Sequence, residues 1–368
     1  MIGEEKEMNR AKMFDMSIYV IVAFVTSIPF ISGRYFLLDT IQEANIHPLL
    51  DLFYSKDVPT YGGTFLPFMI STILSELSVV IIYFISILLS GYLMYDLVGS
   101  ITSSRISKLY AGILCMINPY TYTRMVVGQW VILFTYAILL LSIKSFIELL
   151  EKKERKSAIK FVFFTSLVAF NIHMLIIALI IMSIIFIFWM FKYRDTRNIK
   201  VIPIVIVVFI LLNFYWIFPL ITAKNTIINN IGEEDYKIFA PKVDNLSDLF
   251  NIASMYGFWR EGYIYAKDFI PYWQLLSLLI ISLAIYGFIS YYKDEKIGYL
   301  VKSLGVIWII GFILATGING PFGGINHWLY DNTILKGFRD SQKFVAMLVF
   351  SYAILGGLGI NKIKSMYK

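Results

Sequence analysis

Residues 317–344, GINGPFGGINHWLYDNTILKGFRDSQKF, set Arg339, Asp340, Gln342 and Lys343 directly before an apolar run that begins at Phe344. Cations at the mouth of an apolar helix can meet a phosphate held at a lipid surface, where charge-assisted hydrogen bonds to phosphate oxygens are strong. Arg339 and Lys343 are four residues apart and share a face if the segment is helical, with Asp340 turned about 100° from Arg339. The same charges could instead anchor the helix end or form a local ion-pair cluster with Asp340. An opposing wall is expected in GRYFLLDT, residues 33–40, where Asp39 stands beyond the first apolar run. A carboxylate there can act as general base or hold a divalent metal, magnesium or manganese. Glu43 and His47 follow at helical spacing, so the three can share a face. Asp39 and Glu43 are thus the catalytic candidates, Asp39 is the candidate metal ligand, and His47 reads better as an interfacial polar residue.

Further binding candidates lie elsewhere in the chain. Arg124 and Gln129 sit in the aromatic stretch NPYTYTRMVVGQW, residues 118–130. A guanidinium forks onto phosphate oxygens, but it can equally snorkel to lipid headgroups. His173 lies within an apolar stretch, a position that is functional by default in a membrane protein and is as often structural. His327, in GGINHW, is the last binding candidate. That segment lacks the GxxxxGK spacing of a phosphate loop, so its glycines suit tight turns better than a nucleotide. No Ser-His-Asp order, HExxH or Cys/His cluster supports hydrolase or zinc chemistry. The single cysteine, Cys115, rules out a disulfide framework.

The elements that must carry these residues are membrane helices. Of the 368 residues 58% are hydrophobic and only 15% charged, against about 25% charged in soluble domains. The expected fold is an all-α polytopic membrane protein of about ten transmembrane helices, with re-entrant or interfacial helices on the outer face. Residues 1–368 form one transmembrane domain with outer loops at 33–64, 222–269 and 317–343. Residues 16–32 form the first span, 65–76 a short re-entrant or interfacial helix, and 77–97 the second span. Residues 100–108 form a basic inner loop, and 118–130 turn at the outer surface before a span at 131–150. Residues 157–191 are too long for one span and are expected to break at Asn171–His173. Residues 201–221 form the seventh span. The charge runs at 151–156, 192–200 and 291–296 are inner loops, and the Lys and Arg bias puts both termini in the cytoplasm. The charged N-terminal stretch does not read as a cleavable signal peptide, so the first run is expected to remain as an anchor. The basic balance, +7 overall, sits in short loops and sets topology rather than recruiting nucleic acid.

Four stretches together resemble the GT-C superfamily, the membrane glycosyltransferases that use polyprenyl-phosphate-linked sugars, and within it the arabinofuranosyltransferase-like prokaryotic branch. They are the Asp39 loop, INPYTYTRMVVGQW at 117–130, LNFYWIFPL at 212–220, and GFRDSQKF at 337–344. The resemblance implies a transferase of the cell envelope. It would move a sugar from a lipid-linked donor to a saccharide, lipid or protein acceptor at the outer face of the cell membrane. It also implies that Asp39 is the catalytic or metal-binding carboxylate and that Arg124, Arg339 and Lys343 hold the lipid phosphate. The alternatives are a transporter or flippase of a lipid-linked or anionic substrate, for which broken helices are a known device, and a non-catalytic membrane subunit.

Overall fold

The computed structural model describes residues 2–31, 76–152, 154–194, 201–222, 230–260 and 262–367, and among them every regular element is helical. The chain starts with α1 (Ile2–Ile31), whose second half carries the first apolar run. Then come α2 (Glu76–Gly99), α3 (Arg105–Met116), α4 (Pro119–Val127), α5 (Trp130–Lys152), α6 (Arg155–Val168) and α7 (Ile172–Tyr193). The second half holds α8 (Ile202–Leu212), α9 (Phe214–Thr222), α10 (Glu233–Phe239), α11 (Leu246–Ala253), α12 (Ala266–Phe269), α13 (Trp273–Tyr291), α14 (Gly298–Ala315), α15 (Gly323–Asn332) and α16 (Val345–Met366).

Among the described residues six stretches are long and apolar enough to cross a bilayer: α2, α5, α7, α13, α14 and α16, the last counted from Ser341. A seventh is reached if α8 and α9 are one span. About ten were expected. The shortfall comes from the first span, whose helix α1 is not among the six, and from α3 and α6, which are shorter than a bilayer needs at 12 and 14 residues. The re-entrant or interfacial helix expected at 65–76 lies, up to residue 75, outside the described residues. The break at Asn171 is where the sequence places it. The seventh span is not continuous: α8 and α9 meet at 81°. Asn213 makes this bend. Its amide nitrogen donates to the Phe209 carbonyl (2.9 Å) and the Ser166 hydroxyl (3.0 Å), and its oxygen accepts from the Trp216 indole (3.0 Å), so its side chain competes with the helix ladder. Two expected loops are also partly helical. Residues 100–108 already contain the start of α3, and 222–269 hold α10, α11 and α12.

The last helix is the centre of the bundle. Its apolar window is 89% buried, against 22% for α13, which presents most of its surface outward. Still, α13 lies against it backbone to backbone. A Cβ on Gly287 would run into the Leu355 carbonyl, and one on Gly359 into the Leu283 carbonyl. Small residues permit this approach where no hydrophobic force between helices is available.

The charged connections gather at one end. The Tyr299 hydroxyl donates to Glu151 (3.1 Å), the Lys192 ammonium to the carbonyls of Glu295 and Lys296, and Asn361 to the Tyr291 hydroxyl. At that end the buried Asp15 accepts from Arg105 Nε (2.8 Å) and from the Tyr95 hydroxyl (3.0 Å), tying α1 to α2 and α3. The opposite end is built from α4, the starts of α5, α7 and α16, and the segments 230–260 and 262–269.

Candidate functional site

Three short stretches bring polar side chains together at that opposite end. The first is α4. Asn118 caps it, its carboxamide oxygen accepting from the Thr121 amide (3.0 Å) while the Asn118 amide reaches the Thr121 hydroxyl (3.3 Å). Pro119 fills the first turn, where its missing N–H costs nothing. Gly128, at φ +90°, closes the helix in the left-handed region that favours glycine. A helix this short, pinned at both ends, fixes the direction of Arg124 in its last turn, and Gln129 follows directly. The second stretch is the start of α7. Asn171 accepts from the Met174 amide (3.1 Å) and sets His173 in the first turn. The third is residues 333–344, two 3-10 turns at Ile334–Gly337 and Ser341–Phe344. They are held by Phe338 and Phe344, whose rings stack 4.4 Å apart, and by the Ser341 hydroxyl on the Ala315 carbonyl (3.1 Å).

The result is a buried cluster. Arg124 is fully buried, and Nη1 donates to Asp340 Oδ2 and Gln129 Oε1, both at 2.6 Å. Nη2 donates to Gln342 Oε1 and, at 3.4 Å, to Asp340 Oδ1. The guanidinium also lies between two rings, 5.4 Å from the centroid of Tyr120 and 5.3 Å from that of Phe258. Lys343, 8% exposed, puts Nζ 3.9 Å from Asp340 Oδ2 and 3.4 Å from His173 Nε2. That same nitrogen is 3.0 Å from the Gly337 carbonyl. One ring nitrogen serves one of these at a time, donating to the carbonyl or accepting from the ammonium. The His173 ring stands edge-on to Phe338 at 4.9 Å. Burial on its own would raise the Asp340 carboxyl, but Arg124 and then Lys343 outweigh it and hold the carboxyl below its ordinary range. Asp340 is therefore an anion at neutral pH.

The structure thus brings together Arg124, Gln129, His173 and Lys343, four of the residues singled out from sequence. It does not add Arg339. A 3-10 turn begins only at Ser341, so the α-helical spacing that would align Arg339 with Lys343 is absent. Arg339 turns to Asp235 (3.0 Å) and lies 4.2 Å from the Phe239 ring centroid, about one-third exposed. His327 is also elsewhere. It is half-buried on α15, 3.0 Å from Asp331 one turn on, with its ring nearly at right angles to that of Tyr236. The glycines before it open that helix rather than a loop. Asp39 and Glu43, with the metal assigned to Asp39, lie outside the described residues, as does His47. Among the described residues no three His, Cys, Asp or Glu side chains converge as a metal site.

Arg124 is neither at the lipid surface nor snorkelling, as both sequence readings had it. Asp340 does not stand apart from the cations but is the partner of Arg124, 216 residues away. Asp340, Gln342 and Phe258 are the cluster members that sequence reasoning missed as such. For Asp340 and Gln342 the signal is the density of polar residues before Phe344, which marks the place without naming the partner; nothing in the sequence singles out Phe258.

The family described as a domain of unknown function, DUF6311, matches residues 68–266, more than half of the chain. That stretch includes Arg124, Gln129 and His173 and stops short of Asp340 and Lys343. No curated protein matches the chain, and no solved structure matches it.

Proposed function

The chain belongs to the DUF6311 family, and we propose that it is a membrane glycosyltransferase whose chemistry centres on the buried Arg124–Asp340–Lys343 cluster. The donor is a sugar on a polyprenyl phosphate. The acceptor is a hydroxyl of a saccharide, lipid or protein at the outer face of the cell membrane. The acceptor oxygen forms the new bond to the anomeric carbon as the bond from that carbon to the phosphate oxygen breaks. The hydroxyl proton goes to Asp39, or to Glu43, and the polyprenyl phosphate leaves as an anion. Lys343 stabilises that anion. Arg124 holds Asp340 and, with Gln129, fixes the frame in which Lys343 and His173 face the phosphate. Positioning and charge stabilisation supply most of the rate for such a transfer. A divalent metal on Asp39 would supply further charge stabilisation.

The observation that supports this reading is the burial of two cations, a carboxylate and a carboxamide at the mouth of the most buried span, with the half-buried Gln129 and His173 beside them. Desolvating so many polar groups costs several kcal/mol per ion, and ionisable groups at such a depth mark substrate sites. The test is transfer in proteoliposomes from a radiolabelled polyprenyl-phosphate sugar. Lys343→Gln is expected to lose about 1.5–3 kcal/mol of transition-state stabilisation, tenfold or more in kcat/KM, chiefly through weaker donor binding. Asp39→Asn should abolish transfer, and Lys237→Gln, on the exposed face of α10, should match wild type. Wild-type turnover in both Lys343→Gln and Asp39→Asn would remove the cluster and the carboxylate from the chemistry.

A second reading, a transporter or flippase of a lipid-linked or anionic substrate, is favoured by the 81° break between α8 and α9, since interrupted helices are a transporter device. Movement of the intact donor across the bilayer without any transferred sugar would select it.

A further inference from the structure

Beside the buried cluster, residues of 241–260 and 265–267, with Thr123, line a cavity of about 220 Å³, room for about seven waters at ~30 Å³ each. Three cations line it, the exposed Lys242 and the half-buried Arg260 and Lys267, and each of the half-buried two lies against a ring. The Arg260 guanidinium carbon is 4.7 Å from the Trp259 centroid, and the Lys267 ammonium is 5.6 Å from the Tyr256 centroid. Among the described residues neither of these two has a carboxylate at ion-pairing distance, and the Arg260 guanidinium donates only to the Tyr263 hydroxyl, at 3.1 Å. The carboxylate in the wall, Asp248, serves the backbone instead. Its Oδ2 accepts from the amides of Asp244 (2.9 Å) and Asn245 (3.3 Å), closing the start of α11. The remaining wall includes the rings of Tyr256 and Phe258 and the Asn251 carboxamide.

A guanidinium backed by a ring keeps its plane fixed and presents its N–H edge, the arrangement that suits a two-point contact to an oxyanion. Ring faces beside a carboxamide suit the C–H face and hydroxyls of a sugar. A small anion alone would leave the ring-lined space unused, and a neutral sugar would leave two cations unanswered.

We propose that this pocket binds a saccharide that carries an oxyanion, a sugar phosphate or a uronate. Arg260 and Lys267 hold the anion, and Tyr256, Phe258 and Asn251 hold the ring. Phe258 is a shared wall, because its other neighbour is the Arg124 guanidinium, 5.3 Å from its centroid. A sugar bound here stands one aromatic ring from the cluster, the place of the acceptor. That last step rests on the transferase reading; the binding does not.

The test is calorimetric titration of the full chain in nanodiscs, with no donor present. The probes are glucose 1-phosphate, glucuronate, methyl glucoside and inorganic phosphate. At least one anionic sugar should bind about tenfold or more tightly than methyl glucoside or inorganic phosphate, and which one binds distinguishes a phosphate from a carboxylate. Arg260→Gln and Lys267→Gln should each weaken that binding by about tenfold, with thermal unfolding measured on both to exclude loss of fold. The pocket is overturned by absence of binding for both anionic sugars, by equal binding of inorganic phosphate, or by binding that neither folded variant changes. Transfer that persists when binding fails removes the pocket and leaves the transferase. Binding in a chain that transfers nothing leaves the pocket and removes the transferase.

Discussion

Arg124 has exchanged water for Asp340, two carboxamides and two aromatic rings. Taking a guanidinium and a carboxylate out of water is costly, and the pair returns that cost only while both members are present. Removing one strands the other. Arg124→Met should therefore destabilise the protein by about 3 kcal/mol, the lower end for a broken buried pair, because Lys343 stays 3.9 Å from Asp340. Arg124→Met combined with Asp340→Leu should regain part of that loss, since Lys343 then loses its own carboxylate. Denaturant unfolding of the two single variants and the double variant in detergent measures the coupling. Additive losses would show that the two side chains do not act as a pair. Arg124→Lys is no substitute, since an ammonium cannot serve Asp340, Gln129 and Gln342 from one rigid plane.

Helix α16 owes its central place to what its neighbours lack. Gly287 of α13 faces the backbone of α16 at Leu355 and Gly359, with no side chain that could move aside. Gly287→Leu must push the two helices apart. Overpacking of this kind costs about 1–3 kcal/mol and should lower the melting temperature in detergent. Gly324→Ala, on α15 with open space around it, should not lower it. A Gly287→Leu protein that melts like wild type would mean the two backbones are not in contact. This packing matters to the site, because Lys343 and Gln342 sit on the turn that leads into α16, and displacing that helix displaces them.

The bundle as a whole has one end where the charged connections meet and another that carries the buried cluster and the ring-lined pocket. A Lys and Arg bias orients membrane proteins with the basic end inside, so the cluster end is expected to face out. Buried Cys115 gives little background for thiol labelling. An impermeant maleimide should therefore label Asn245→Cys on intact cells and Glu295→Cys only after permeabilisation. The reverse pattern would invert the molecule and put the site in the cytoplasm, away from an outer-face donor.

Composition by itself determined the class. A chain with 58% hydrophobic and 15% charged residues has to keep its backbone bonded in helices inside a bilayer. Local signals placed several boundaries too, because caps act within a few residues: Asn118-Pro119 opens α4, Gly128 closes it, and Asn171 starts α7. The tertiary structure decided the partners. Arg339 and Lys343 have the spacing of a helical pair, yet packing winds the segment before α16 into a 3-10 turn. It sends Arg339 to Asp235, while Asp340 goes to Arg124. Spacing fixes which side chains share a face once the local helix is given. It says nothing about a residue 216 positions away, which only the packing of α4 against the turn before α16 brings within hydrogen-bonding distance.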